Sequence, residues 1–164
     1  MHEFYIGKSK IEGQGVFTEQ SFKPGETIME YKGPIVHLAD IPKGDLHGMG
    51  DRYVQIGEDE FLGPSNDIDD WLNHSCDPDA GIQIKDGKVF VIAIRPIKAR
   101  EEITWDYSTT LDLHGTWEML CHCGSPQCRK RIRDFKTLSP ELQRKYSDLG
   151  AVPQYILKKL RASS

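Results

Sequence analysis

Asn73-His74-Ser75-Cys76-Asp77-Pro78-Asp79-Ala80 sets an amide, an imidazole, a hydroxyl and a thiol side by side. A Cys/His pair is the nucleophile and base of many hydrolases. Neighbours on an extended chain point to opposite faces, however, so adjacency alone makes no dyad. Cys76 also has a competing use. The other three cysteines of the chain fall together in Cys121-His122-Cys123-Gly124-Ser125-Pro126-Gln127-Cys128. A C-x-C-x4-C cluster with a distant fourth thiol suits a tetrahedral zinc site, whose thiolates lie about 2.3 Å from the metal and converge from turns. Gly124 and Pro126 supply such a turn. Disulfides are the alternative, but Cys121 and Cys123 are too close to bridge easily, and nothing resembles a secretory signal. His122 is a ligand by type, yet Cys76, Cys121, Cys123 and Cys128 already complete a shell. Four thiolates on Zn2+ carry a net −2, which Arg129, Lys130, Arg131 and Arg133 are placed to offset.

Around these motifs the chain reads as short strands and turns. Ile82–Lys85 and Lys88–Val91 flank Asp86-Gly87, the dipeptide preferred in a type I′ hairpin turn. Pro24-Gly25 signals a type II turn leading into a strand at Thr27–Tyr31. Residues 97–103 echo residues 22–28, each copy placing a strand after a turn. Residues 37–52 show little apolar periodicity and read as loop with one helical turn. Ser139-Pro140-Glu141 carries a cap, a proline at the first helical position and an acid near the positive end. That helix is expected to end at Gly150, and Pro153 opens a second.

At 164 residues the chain fits one compact body. Its longest apolar run, Val89–Ile94, is far too short to cross a bilayer. A soluble intracellular protein is expected, cytoplasmic or nuclear, with no membrane partner. The net charge of −4 is unevenly placed: from Arg129 onward ten Lys/Arg stand against three Asp/Glu, so residues 1–128 hold −11. An acidic body steers cationic peptides toward itself. A basic excess confined to the tail argues against direct nucleic-acid binding.

The eight residues from Asn73 to Ala80 resemble the asparagine-histidine-serine-cysteine signature of SET-domain lysine methyltransferases. Glu102-Ile103-Thr104-Trp105-Asp106-Tyr107 is similar to the second signature of that family, and Glu12-Gly13-Gln14-Gly15-Val16-Phe17 to its glycine motif. The Cys121–Cys128 cluster resembles its post-SET zinc module, which takes a fourth ligand from the first signature, here Cys76. The match covers roughly residues 5 to 133.

The resemblance implies a mainly β fold with short helices: several small sheets, with one signature threaded through a loop of the other, then a zinc clip and one or two tail helices. It divides the chain into a SET domain at 1–116, a post-SET segment at 117–133 and a helical tail at 134–164. It implies transfer of a methyl group from S-adenosylmethionine to a lysine of a protein, with histones as a common target class. Tyr107 is then the catalytic phenol. Backbone at Glu12, Gly13 and Gln14, the Asn73 side chain and the His74 backbone hold the donor, His122 lies against its adenine, and Tyr53 touches it. The chain departs from the pattern at Asp70-Trp71-Leu72, where many relatives carry Arg-Phe-Ile, and at Trp105, where Phe or Tyr is usual. A lysine-peptide binding module without activity is the competing reading.

Overall fold

The computed structural model describes residues 3–42 and 52–163. Twelve short strands, β1 to β12, and two α-helices make up the regular structure of these residues, along with several 3-10 turns. The hairpin forms around its expected turn. Strand β8 (Ala80–Lys85) pairs antiparallel with β9 (Lys88–Ala93), and Asp86 and Gly87 both take positive φ, 52° and 73°. Every residue from Ala80 to Lys85 has a partner in β9, so the hairpin begins two residues earlier than its alternation suggests.

β3 (Thr27–Tyr31) joins the far side of β9 antiparallel, with a bulge between Thr27 and Met29. On the other side, β10 (Thr104–Trp105) lies parallel to β8, and β7 (Asn73–His74) lies parallel to β10. The five-stranded order is therefore β3-β9-β8-β10-β7. This order makes the two signatures adjacent: Thr104 faces Asn73 and Trp105 faces His74. The sequence echo is one turn used twice. Gly25 and Arg100 take positive φ, 89° and 70°, and the carboxylates of Glu26 and Glu101 accept from Lys23 N and Lys98 N. The two copies bond each other reciprocally through Phe22 and Ile97, at 2.8 and 2.9 Å.

Smaller sheets surround this one. β1 (Phe4–Lys8) and β2 (Gln14–Thr18) form a hairpin that carries the glycine motif. β4 (Ile35–His37), β6 (Glu60–Leu62) and β5 (Val54–Gln55) form a second sheet in the order β4-β6-β5. β11 (Met119–Leu120) and β12 (Arg131–Ile132) bracket the cysteine cluster. Of the loop expected at 37–52, Leu38–Asp40 is a 3-10 turn, and residues 43–51 lie outside the described residues.

Helix α1 (Pro140–Asp148) starts as read, with Ser139 Oγ accepting from Leu142 N, and stops before Gly150 at φ 68°. Helix α2 (Gln154–Ala162) follows Pro153. The two helices enclose a core of their own, Phe135, Leu138, Tyr146, Val152 and Ile156, which Ile94 of the main body joins. The tail presses closely on β8: a Cβ on Gly81 would stand 2.5 Å from Ala151 Cβ.

Candidate active site

Parallel pairing of β7 with β10 fixes the centre of the site. Beyond the strand pair, Ser75 N donates to Trp105 O at 3.1 Å. Tyr107 N donates to His74 Nδ1 at 3.1 Å, and Tyr107 Oη donates to the Leu72 carbonyl at 2.6 Å. Tyr107 is thus buried and fixed at both backbone and hydroxyl. Its ring packs on His74 at 5.3 Å and on Trp105 at 4.7 Å, and Tyr31 meets Trp105 edge-on. The indole N–H of Trp105 is buried without an acceptor among the described residues.

Because His74 Nδ1 accepts from a backbone N–H, the ring proton belongs on Nε2, which lies 3.3 Å from Cys76 Sγ. Burial lowers the His74 pKa to about 4, so the ring is neutral. The imidazole therefore bridges the Tyr107 backbone and the Cys76 sulfur, a use separate from the donor contact expected of the His74 backbone.

The sulfurs of Cys76, Cys121, Cys123 and Cys128 all lie within 4.8 Å of one another, and none is in a disulfide. Two sulfurs bound tetrahedrally at about 2.3 Å from one metal sit about 3.8 Å apart; Cys76 and Cys121 are 3.7 Å apart. Arg129 N points at Cys76 Sγ and Lys130 N at Cys128 Sγ, each at 3.4 Å, as suits thiolate acceptors. Burial pushes the Cys76 thiol up to about 11 and raises Cys121 as well, so a cation is what would hold both as thiolates. The four residues could hold a metal ion.

On the opposite side, the Asn73 amide donates to Glu12 O at 3.2 Å, Gln14 O at 2.9 Å and Glu102 Oε1 at 2.9 Å. Glu102 also accepts from Ser9 Oγ at 2.8 and 3.0 Å. Gly15 has no room for a side chain, since a Cβ would stand 2.1 Å from Glu102 Oε1. Gly13 takes φ +43° in the turn beside it. His122, with 65% of its side chain exposed, places Nδ1 3.7 Å from Glu12 Oε2, so the cysteine cluster and the glycine turn approach each other. The structure thus gathers Glu12, Gly13, Gln14, Asn73 and His122. Tyr53 is placed against Gly63, beside the β4-β6-β5 sheet.

Before Asn73, the Trp71 ring has the Arg52 guanidinium over it at 4.8 Å. Asp70 caps a turn, accepting from Ser65 N and Asn66 N, and Asp69 accepts from Lys32 N. These two acids hold backbone and are buried away from solvent. Two further organisers escaped the sequence reading. Asp106, 1% exposed, receives both Arg129 Nη1 and Nη2, at 2.8 and 2.7 Å, and Tyr146 Oη at 2.9 Å. Glu102 was visible as part of a signature, but its partner Ser9 was not.

A family model described as "SET domain" matches residues 13–108. The chain belongs to the SET-domain family. Among similar proteins of this family, "Histone-lysine N-methyltransferase TRX1" of Oryza sativa subsp. japonica is 31% identical over 143 residues, covering 80% of this chain and 14% of that protein. "Histone-lysine N-methyltransferase, H3 lysine-36 specific" of Saccharomyces cerevisiae is 30% identical, covering 75% of this chain and 18% of its own length. The SET-domain chain described here thus spans less than a fifth of the length of these relatives. Of solved structures, one of KRYPTONITE in complex with mCHG DNA and SAH superposes with a TM-score of 0.63 at 23% identity, covering 79% of this chain and 28% of that one, which supports the fold. Among the described residues, no helix is long and apolar enough to cross a membrane.

Proposed function

We propose that this protein transfers a methyl group from S-adenosylmethionine to a lysine side chain of a protein, with histones as the first substrate class to test. The observation that carries this reading is the parallel pairing of β7 and β10, which puts Asn73 and His74 beside Thr104 and Trp105, with the Tyr107 phenol anchored on the Leu72 carbonyl. The similarity to histone-lysine methyltransferases supports the same chemistry.

In this reading Cys76, Cys121, Cys123 and Cys128 hold one Zn2+ with all four positions filled, a structural site with none left for substrate. Glu12, Gly13, Gln14, Asn73 and His74 hold the methyl donor, with His122 at its adenine and Tyr53 as an outer contact. Arg52 stands in for the basic residue absent before Asn73. S-adenosylmethionine supplies an electrophilic methyl on a positively charged sulfur. A lysine ammonium, near pKa 10.4 in water, must lose a proton before it attacks. Two unit positive charges about 4 Å apart repel by about 4 kcal/mol at an effective dielectric of about 20, which favours that loss. Tyr107 then orients the neutral amine at about 3 to 3.5 Å from the methyl carbon. In this reading the bulk of Trp105, packed on the Tyr107 ring, limits how many methyls fit.

The test incubates the purified protein with radiolabelled donor and core histones, with mass spectrometry of the products and metal analysis of the same sample. One zinc per chain and labelled lysine are expected. Tyr107→Phe should lose at least about a hundredfold in kcat while binding the donor with unchanged affinity. A wild-type protein that binds lysine peptides but labels no basic protein is a binding module instead, and full turnover by Tyr107→Phe removes the phenol from its role.

A further inference from the structure

The segment from Asp106 to Gly115 starts at the Tyr107 phenol and leads toward the cysteine cluster, and the tail grips it at successive points. Tyr146 Oη, on α1, donates to Asp106 Oδ2 at 2.9 Å. Tyr155 Oη, on α2, donates to the Thr110 carbonyl, and also to Gln55 O at 3.0 Å. Lys159 Nζ meets Asp112 Oδ2 at 2.5 Å. The Asp134 carboxylate accepts from Leu113 N at 3.0 Å and Gly115 N at 2.8 Å, and Phe135 N donates to Leu111 O. Two of these partners carry rings buried in or against the tail core, so their hydroxyls arrive in one orientation.

Resting on the methyltransferase reading, we propose that the tail is a brace for the loop carrying Tyr107, and that Tyr146 is its principal positioning residue. The physical reason is the position of Asp106. Its carboxylate is buried and has three strong donors, two from Arg129 and one from Tyr146, and it also accepts from Ser108 N at 3.1 Å. The carboxylate therefore ties the residue just before Tyr107 to the backbone just after it, at Ser108 N. Without the Tyr146 hydroxyl, one lone-pair direction of a buried anion is unmatched, and Asp106 is free to turn toward Arg129 alone. The phenol of Tyr107 is attached to the next residue, and small displacements at a reacting centre cost rate steeply. Tyr155 acts three residues further along, so its hydroxyl matters less to the phenol.

The experiment compares wild type with Tyr146→Phe and Tyr155→Phe, which keep the rings and remove the hydroxyls. Methyl transfer from labelled S-adenosylmethionine to core histones is read together with zinc content, donor affinity by calorimetry and hydrogen exchange across residues 106–115. In Tyr146→Phe, kcat is expected to fall about tenfold, with the donor Kd and histone KM within twofold of wild type, zinc retained, and faster exchange at Ser108 and Thr109. Tyr155→Phe should speed exchange near Thr110 and Leu111 and lower kcat no more than about threefold. If Tyr146→Phe does not fold, Ser139→Ala loosens only the start of α1, and the same coupled changes are expected in milder form. Unchanged kcat and unchanged exchange at 106–110 in a folded Tyr146→Phe or Ser139→Ala protein would overturn the brace. If wild type labels no basic protein, the methyltransferase reading fails while the exchange measurement still decides whether α1 holds the loop.

Discussion

Glu102 and Asp106 stand four residues apart in one signature, yet they organise opposite ends of the site by different means. Glu102 is half-buried and holds neutral donors, the Ser9 hydroxyl and the Asn73 amide, and so ties the glycine turn to the first signature. Asp106 is buried, is held by a guanidinium and a phenol, and so ties the cysteine segment and the tail to the second signature. A half-solvated acid with neutral partners gives an adjustable joint, fit for a ligand that enters and leaves. A desolvated acid clamped by a cation gives a fixed one, because breaking it strands a buried charge.

The largest effect should therefore come from Arg129. Its guanidinium makes two bonds to Asp106 and its backbone N–H points at Cys76 Sγ. Arg129→Met keeps the stem but leaves the carboxylate buried with only Tyr146 and Ser108 N. The expected loss is about 3 to 5 kcal/mol, seen as a melting point roughly 10 °C lower. A variant melting with wild type would show that Asp106 does not need its cation and would erase the contrast.

Asp79 sharpens the comparison, being an acid equally buried but without such a clamp. It is 5% exposed and accepts from Thr104 N at 2.8 Å. Burial raises its pKa to about 6, against the partial opposition of that N–H and of the Arg95 charge, with Glu101 adding to the rise. A folded-state value above the unfolded one means that folding favours the protonated acid. Its benefit is complete below about pH 3.8 and is lost as pH rises through about 6. Asp79→Asn keeps an acceptor for Thr104 and cannot ionise. It should stabilise the protein by about 3 kcal/mol at pH 8 and by only about 0.5 kcal/mol at pH 4. Denaturant titration at the two pH values measures this, and an equal gain at both would rule out the ionisation as its cause.

How much of this was legible in the sequence follows from how each contact is made. The cysteine cluster was legible because a metal shell demands one residue type at constrained spacing, and Cys76, Cys121, Cys123 and Cys128 do converge. The hairpin at Asp86-Gly87 and the α1 start at Ser139 were legible because their causes lie within four residues. The roles of Asp106 and Tyr146 were not, because a hydroxyl meeting a carboxylate across 40 residues leaves no local pattern. His74 was read for its backbone alone because its imidazole gains a use only when β10 brings Tyr107 N to it. Asp69 and Asp70 gave no local sign of a structural use, because Asp70 caps a turn through Ser65 N and Asn66 N, and Asp69 holds Lys32 N, only once the chain has folded.

The smallest effect probes the adjustable end. Gly15 lies on β2 opposite Gly7, and a methyl there would stand 2.1 Å from Glu102 Oε1 and 3.1 Å from Asn73 Nδ2. Backbone cannot yield inside a paired strand as readily as a half-exposed carboxylate can swing away. Gly15→Ala should therefore displace Glu102 from Ser9 and Asn73 and leave Asp106 with all its partners. Freed of one anchor, the Asn73 amide no longer holds the glycine turn in one register. The expected result is a loss of about tenfold in S-adenosylmethionine affinity by calorimetry, worth about 1.4 kcal/mol, with zinc content and hydrogen exchange at 106–115 unchanged. If exchange at 106–115 rose together with the loss of affinity, Glu102 and Asp106 would be parts of one rigid unit, and the division of the site into an adjustable and a fixed end would not stand.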